Sequence, residues 1–195
     1  MEHYFTNNDE LKSEFRTIIY KYEDYTLEFT SDLGVFSKDK VDFGSRLLME
    51  TYFKNGRTNI NLLDLGCGYG IIGLSMAKIM NIKPTMVDVN KRALHLASMN
   101  AKALHIDANI YESSIYDKVE GKFDVIMTNP PIRTGKEMVT EFILKAKDYL
   151  AENGELWFVM KKDHGAKSMI EKAKNVYSSV EVLEKSKGFY IILCK

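Results

Sequence analysis

From about Ile60 onward, apolar runs of strand length alternate with segments whose apolar residues recur at helical spacing, and this alternation restricts the chain to few architectures. A strand followed by a covering helix before its neighbour can pair gives a mostly parallel sheet with helices on its faces. The runs predict strands at 61–65, 85–88, 109–112, 124–128, 156–160, 180–185 and 189–194. Helices are expected at 42–54, 71–80, 91–103, 136–151 and 166–177, where Ala93, Leu94, Ala97, Ala101 and Leu104 show the one-sided spacing. Only Ser186-Lys187-Gly188 joins the last two strands, too little for a crossover, so they form a hairpin. The expected fold is α/β: a doubly wound, Rossmann-like, seven-stranded sheet that is mostly parallel and ends in an antiparallel hairpin strand.

Upstream, 14–22 and 25–30 are rich in aromatic and β-branched residues and flank Glu23-Asp24, which predicts an added N-terminal β-hairpin. With 195 residues, no linker rich in Pro, Gly or Ser, and no internal repeat, the chain reads as one domain. Residues 1–40 form the extension and 41–195 the core. The start at Met1-Glu2-His3 lacks a basic patch followed by an apolar run, and no apolar stretch spans a bilayer, so a cytoplasmic protein without a membrane partner is expected. Cys67 and Cys194 give no disulfide framework, and His3, His95, His105 and His164 are scattered, so no metal is expected. Lysine plus arginine and aspartate plus glutamate both number 27, which excludes a global basic field. The charge is nonetheless uneven. Acids such as Asp9, Glu14 and Asp24 gather before residue 60, and lysines 161, 162, 167, 172, 174, 185 and 187 crowd the last third. Solvated element faces explain this alone, while a local nucleic-acid contact remains open.

The loop Asp64-Leu65-Gly66-Cys67-Gly68-Tyr69-Gly70 sits where the first core strand turns into a helix, and glycines there let backbone approach a ligand. Gly68 to Gly73 also satisfies the G-x-G-x-x-G spacing of dinucleotide binders, so spacing does not separate two cofactor classes, a dinucleotide and a nucleoside cofactor without phosphate. Asp64 tilts the choice. A carboxylate before the first glycine repels a pyrophosphate but holds an ammonium, directly or through water. Asp88 ends the second strand, followed by Val89, where a carboxylate accepts hydrogen bonds from both ribose hydroxyls in either class. Cys67 has no activating base nearby in sequence and reads as a small loop residue.

After the fourth core strand comes Thr128-Asn129-Pro130-Pro131-Ile132-Arg133-Thr134-Gly135-Lys136, which the topology places across the crevice from the glycine loop. An exocyclic amine on a base is a poor nucleophile because its lone pair is delocalised. The Asn129 side-chain oxygen and the Pro130 carbonyl can each accept one N–H and favour a pyramidal nitrogen. Consecutive prolines, Pro130 and Pro131, fix these acceptors in advance.

On these residues the chain resembles the small-domain class I methyltransferases related to ribosomal RNA small subunit methyltransferase C, which modify guanine N2. The likeness runs from about Tyr25 and includes Phe29 to Ser37, Asp42-Phe43-Gly44-Ser45, Asp64 to Gly70, and Asn129 to Lys136. The closing hairpin fits the methyltransferase variant of the doubly wound fold. The resemblance implies S-adenosylmethionine as cofactor, held by Asp64, Gly66, Cys67, Gly68, Gly70, Asp88 and Val89, with Asn129 also at the cofactor. It places Asn129, Pro130 and Pro131 at the target amine, and Ile132, Arg133 and Lys136 at base or phosphate. Phe36, Asp42, Gly44 and Ser45 are expected near the cofactor. So are Ser113 and Ser114, the latter where many relatives carry an aspartate for the adenine amine.

Relatives acting on adenine N6, cytosine N4 or protein glutamine usually carry an aromatic residue at the place of Ile132, so guanine N2 in ribosomal RNA is the implied target. RNA or the small ribosomal subunit is the implied partner. It would be selected by the N-terminal hairpin, the basic C-terminal surface, or a further protein, because the N-terminal half of two-domain relatives has no counterpart here. An NAD-dependent oxidoreductase, a methyltransferase for adenine N6 or protein glutamine, and a catalytically silent RNA-binding module remain the alternatives.

Overall fold

The computed structural model describes residues 12–195; the first eleven residues of the expected extension lie outside the described residues. Strands β1 (Arg16–Tyr22) and β2 (Tyr25–Ser31) form the hairpin, with Tyr22 paired to Tyr25 across Glu23-Asp24. Glu23 takes the left-handed conformation (φ 47°) that this two-residue turn demands. Alternate residues Ile18, Tyr20, Leu27 and Phe29 are buried and join the main core, so the hairpin is packed rather than appended.

The core proceeds as α1 (Phe43–Asn55), β3 (Leu62–Leu65), α2 (Ile71–Met80), β4 (Thr85–Asp88), α3 (Lys91–Ala103), β5 (Asn109–Glu112), β6 (Phe123–Thr128), α4 (Lys136–Leu144), β7 (Leu150–Lys161), α5 (Ala166–Ala173), β8 (Val180–Ser186) and β9 (Phe189–Cys194). Seven strands lie in the order β5-β4-β3-β6-β7-β9-β8, with β9 antiparallel to both neighbours. The sequence reading has this sheet and this hairpin. The structure adds that the reversed strand sits inside, between β7 and β8, which leaves charged β8 as the edge, where such residues suppress edge pairing.

Period-two alternation sorts the strand residues between two cores. Leu62, Val125, Met127, Trp157 and Val159 join one cluster, while Leu63, Ile126, Leu156 and Phe158 join the other. Strands covered on both faces need apolar residues at every position, which is why their sequences read as continuous runs. Trp157 is 1% exposed and meets Tyr52 of α1 edge-on, with ring centroids 4.8 Å apart. Its Nε1 donates to Glu155 at 2.9 Å. Trp157→Ala is expected to cost about 3–5 kcal/mol, measured by urea unfolding followed by circular dichroism; a loss near zero would mean that this layer is not packed as described.

Two helix ends differ from expectation. The helix expected at 136–151 stops at Leu144, and a 3₁₀ segment Lys145–Tyr149 tightens into β7. Leu150 pairs with Phe123, whereas the next regular pair is Val125 with Glu155. Asn153, at φ 57°, and Gly154 turn through the resulting bulge, so strand pairing overrides the helical spacing that continues to Leu150. The last helix ends at Ala173 rather than Tyr177, whose hydroxyl donates to the Ile143 carbonyl of α4.

The chain runs β3 to β4 to β5 on one side, then crosses to β6 on the other. That reversal opens a crevice outside the carboxyl ends of β3 and β6. Among the described residues, no helix is long and apolar enough to cross a membrane.

Candidate active site

The glycine loop follows β3 directly, and its backbone closes on β4: Gly66 and Cys67 N–H both donate to the Val87 carbonyl at 2.9 Å. At Gly70 (φ +95°) a Cβ would come within 2.8 Å of Leu74, so the turn into α2 needs glycine for space and conformation alike. Gly68 (φ +56°) is different. A Cβ there would meet nothing within 4 Å, so it faces open space that a ligand can approach closely.

Asp88 ends β4 beneath this loop. One carboxylate oxygen accepts from Gly68 N–H at 2.8 Å and the other from Asn90 N–H at 2.9 Å. Each oxygen keeps a lone pair for a hydroxyl donor. Asp64 is fully buried; one oxygen accepts from Gly73 N–H at 2.8 Å, and the other has no partner. Burial, together with the nearby Asp88 charge, pushes its carboxyl up to about 7 against the opposing Gly73 hydrogen bond. Burial likewise pushes the Cys67 thiol up, opposite to what a nucleophile needs.

The opposite wall is the Asn129 loop. The Thr128 hydroxyl donates to the Leu65 carbonyl at 2.8 Å, which ties the end of β6 to that of β3. Asn129 Nδ2 donates to Asp42 Oδ2 at 3.0 Å and to Ser45 Oγ at 2.9 Å. Both amide protons are thereby committed, and Oδ1 is the group left to accept. The Asp42 side chain also caps α1 by accepting from Ser45 N–H at 2.9 Å.

Between these walls lies a cleft of about 500 Å³, the size of a small-molecule site. Gly66, Cys67, Gly68, Asp88 and Val89 line one end, with Ser113 and Ser114 beside them; Phe36, Asp42 and Ser45 lie along it, and Asn129, Pro130, Pro131, Ile132 and Arg133 close the other end. The Ser113 hydroxyl is used in its own turn, donating to Ile115 and accepting from Lys118 N–H. Exposed Ser114 is the freer of the two.

Four residues expected at the site are not in its wall. Asp64 lies behind the glycine loop, and Gly70 faces Leu74. Gly44 packs against Phe189, where a Cβ would come within 2.9 Å of the ring. Lys136 opens into a separate shallow groove beside Glu141 and Lys172.

Several contributors were not legible. Phe189, Lys161 and His164 also line the cleft, from elements far along the chain. Buried Asn100 donates to the Thr30 and Tyr69 carbonyls and accepts from Thr30 N–H, joining hairpin, α3 and glycine loop. Arg92 pairs with buried Asp32 at 3.1 Å and holds the segment that carries Phe36. Asn90, placed directly before a helical run, did carry a signal: it caps α3 through Ala93 N–H.

Fold and cleft together define a class I methyltransferase, a class whose methyl donor is S-adenosylmethionine. Residues 26–193 match the family model described as "Methyltransferase small domain", and the chain belongs to that family. It is 42% identical to the Bacillus subtilis protein YbxB over 198 residues, covering 100% of this chain and 98% of that one. It is 38% identical over 158 residues to ribosomal RNA small subunit methyltransferase C of Haemophilus influenzae, covering 77% of this chain but 46% of the relative. The chain thus spans about half the length of the methyltransferase C relatives it matches. The solved 16S rRNA N2 G1207 methyltransferase of T. thermophilus, in complex with AdoMet and guanosine, superposes with a TM-score of 0.84 at 23% identity, over 95% of this chain and 51% of that one.

Proposed function

We propose that this protein transfers the methyl group of S-adenosylmethionine to the exocyclic N2 of guanine in ribosomal RNA, acting in the cytoplasm on RNA or the small ribosomal subunit. The observation that carries the reading is the position of Asn129. It stands across one cleft from the glycine loop, its amide protons already spent and its carbonyl oxygen left over.

The chain's residues fit the cofactor. Gly68 leaves room for close approach, Asp88 offers lone pairs to ribose hydroxyls, and the unpaired Asp64 oxygen, set behind the cleft wall, calls for a donor that the methionine ammonium supplies through a bridging water. When bound, S-adenosylmethionine supplies an electrophilic methyl on sulfur. Asn129 Oδ1 and the Pro130 carbonyl accept the two N–H bonds of the amine, which localises its lone pair, and the Pro130-Pro131 pair holds these acceptors still. Ser113 and Ser114 sit where the adenine end belongs, and half-exposed Phe36 covers the cleft against water.

A nucleic-acid acceptor is supported by positive charge at the cleft, where Arg133 and Lys161 are among the lining residues. Lys187 lies 4.7 Å over the Phe43 ring beside it. The names of the methyltransferase C relatives point the same way. Incubation with methyl-labelled S-adenosylmethionine and either ribosomal RNA or partly assembled small subunits is expected to give N2-methylguanosine on nucleoside analysis. Label found only in N6-methyladenosine, or only in a protein glutamine, would overturn the target.

A further inference from the structure

We infer that Asp42 and Ser45 are positioning residues that dictate which end of the Asn129 amide meets the acceptor amine. The inference rests on the reading of Asn129 as the amine's acceptor. An asparagine amide is nearly symmetric in shape, and half a turn about its last torsion exchanges a carbonyl for an NH₂ at little steric cost. Proline on the C-terminal side fixes the backbone of Asn129 but leaves this torsion untouched. Presented the wrong way round, the side chain would set a donor against the donors of an amine.

The start of α1 removes that ambiguity. A carboxylate can only accept, so the amide atom facing Asp42 must be the nitrogen. The two amide protons meet two acceptors, Asp42 Oδ2 at 3.0 Å and Ser45 Oγ at 2.9 Å, which arrive from residues 87 and 84 positions earlier in the chain. In the flipped state the Asn129 oxygen would face the carboxylate and the bond to Asp42 would be lost, whereas the Ser45 hydroxyl, which can donate as well as accept, adds to the native state without deciding the orientation alone. The clamp is also stiff. Asp42 Oδ2 accepts from Ser45 N–H as the cap of α1, and Leu48, Met49 and Tyr52 on that helix are buried in the main core. A carboxylate on the amide N–H further draws the amide toward its charge-separated form, which makes Oδ1 a better acceptor.

The device is tested in the intact protein with three variants. Asp42→Ser keeps a hydroxyl able to cap α1 while removing the carboxylate; Ser45→Ala removes only the second acceptor; Asp42→Asn restores an oxygen that can accept. The first readout needs no methyl acceptor. The Asn129 side-chain NH₂ is identified in nitrogen–proton spectra by its disappearance in Asn129→Asp, and its exchange with solvent is followed. Slow exchange in the native protein that speeds up in both Asp42→Ser and Ser45→Ala, with recovery in Asp42→Asn, is the expected result. Exchange that is equally fast in all, or equally slow in all, overturns the clamp.

The second readout is kinetic. Asp42→Ser is expected to lower kcat by about 10- to 100-fold with unchanged melting temperature, and Asp42→Asn to recover most of the loss. A purely structural role for Asp42 would instead lower melting temperature and cofactor affinity together, and that pattern sinks the inference. Full activity in Asp42→Ser beside an inactive Asn129→Ala also sinks it. Full activity in Asn129→Ala sinks the amine-acceptor reading instead, and amide exchange still decides whether the clamp exists.

Discussion

Asn129→Ala is expected to slow methyl transfer by about 100- to 1,000-fold, equivalent to roughly 3–4 kcal/mol, while leaving cofactor affinity unchanged. The magnitude is that of removing one fixed polar group from the place where charge develops in a transition state. Its selectivity follows from position: Asn129 stands in the wall facing the glycine loop, and its side-chain amide donates to Asp42 and Ser45 rather than to the loop that carries Gly68. Truncation also leaves the Asp42 carboxylate without one of its donors, so a small drop in melting temperature is expected beside the large kinetic one. Single-turnover transfer from labelled S-adenosylmethionine, paired with calorimetric titration of the cofactor, separates these effects. A parallel loss of cofactor binding would move Asn129 out of the acceptor role.

Cofactor affinity is expected to weaken about tenfold for each pH unit below neutrality, and Asp64→Asn to abolish that dependence. Burial pushes the Asp64 carboxyl up to about 7 from its ordinary 3.8, so below neutrality the free protein holds a proton there. Pairing with an ammonium needs the ionised form, and the proton must leave on binding; above about 7 it has already left and affinity levels off. The sign for stability is the reverse. A carboxyl whose folded value is raised favours the folded state below its ordinary value, and the benefit disappears as pH climbs through about 7. The ligand-free protein should lose melting temperature across that window, and Asp64→Asn should lose less, the remainder including Asp88, which burial raises in the same direction. At neutral pH Asp64→Asn should bind cofactor about 10- to 100-fold more weakly, the range for a lost hydrogen bond to a charged group. An unchanged affinity at every pH would show that the unpaired Asp64 oxygen is not the ammonium's partner.

What was legible in the sequence is what depends on neighbouring residues. Strands covered on both faces must be apolar throughout, so their number, order and spacing could be read directly. The glycine loop and the Asn-Pro-Pro loop could be read for the same reason, because left-handed turns and fixed φ angles are properties of the residues themselves. Reading failed where a tertiary pairing competed with a local preference. Leu150 continues a helical spacing yet pairs with Phe123, and the helix gives way to a bulge. Where Gly44 and Lys136 stand is likewise a tertiary matter: Gly44 packs against Phe189, which lines the cleft, and Lys136 lines a separate groove.

The sequence by itself determined a doubly wound sheet and the two loops that follow β3 and β6. It could also show that a carboxylate, an amide and two prolines lie in them. Only the tertiary structure decided which end of the Asn129 amide is free, because its partners lie 84 and 87 residues away. The same holds for Asp64, whose need for a donor exists only because folding strips water from an oxygen and leaves it unpaired. Local periodicity carries no information about such contacts. They arise when elements distant along the chain are brought together over one crevice.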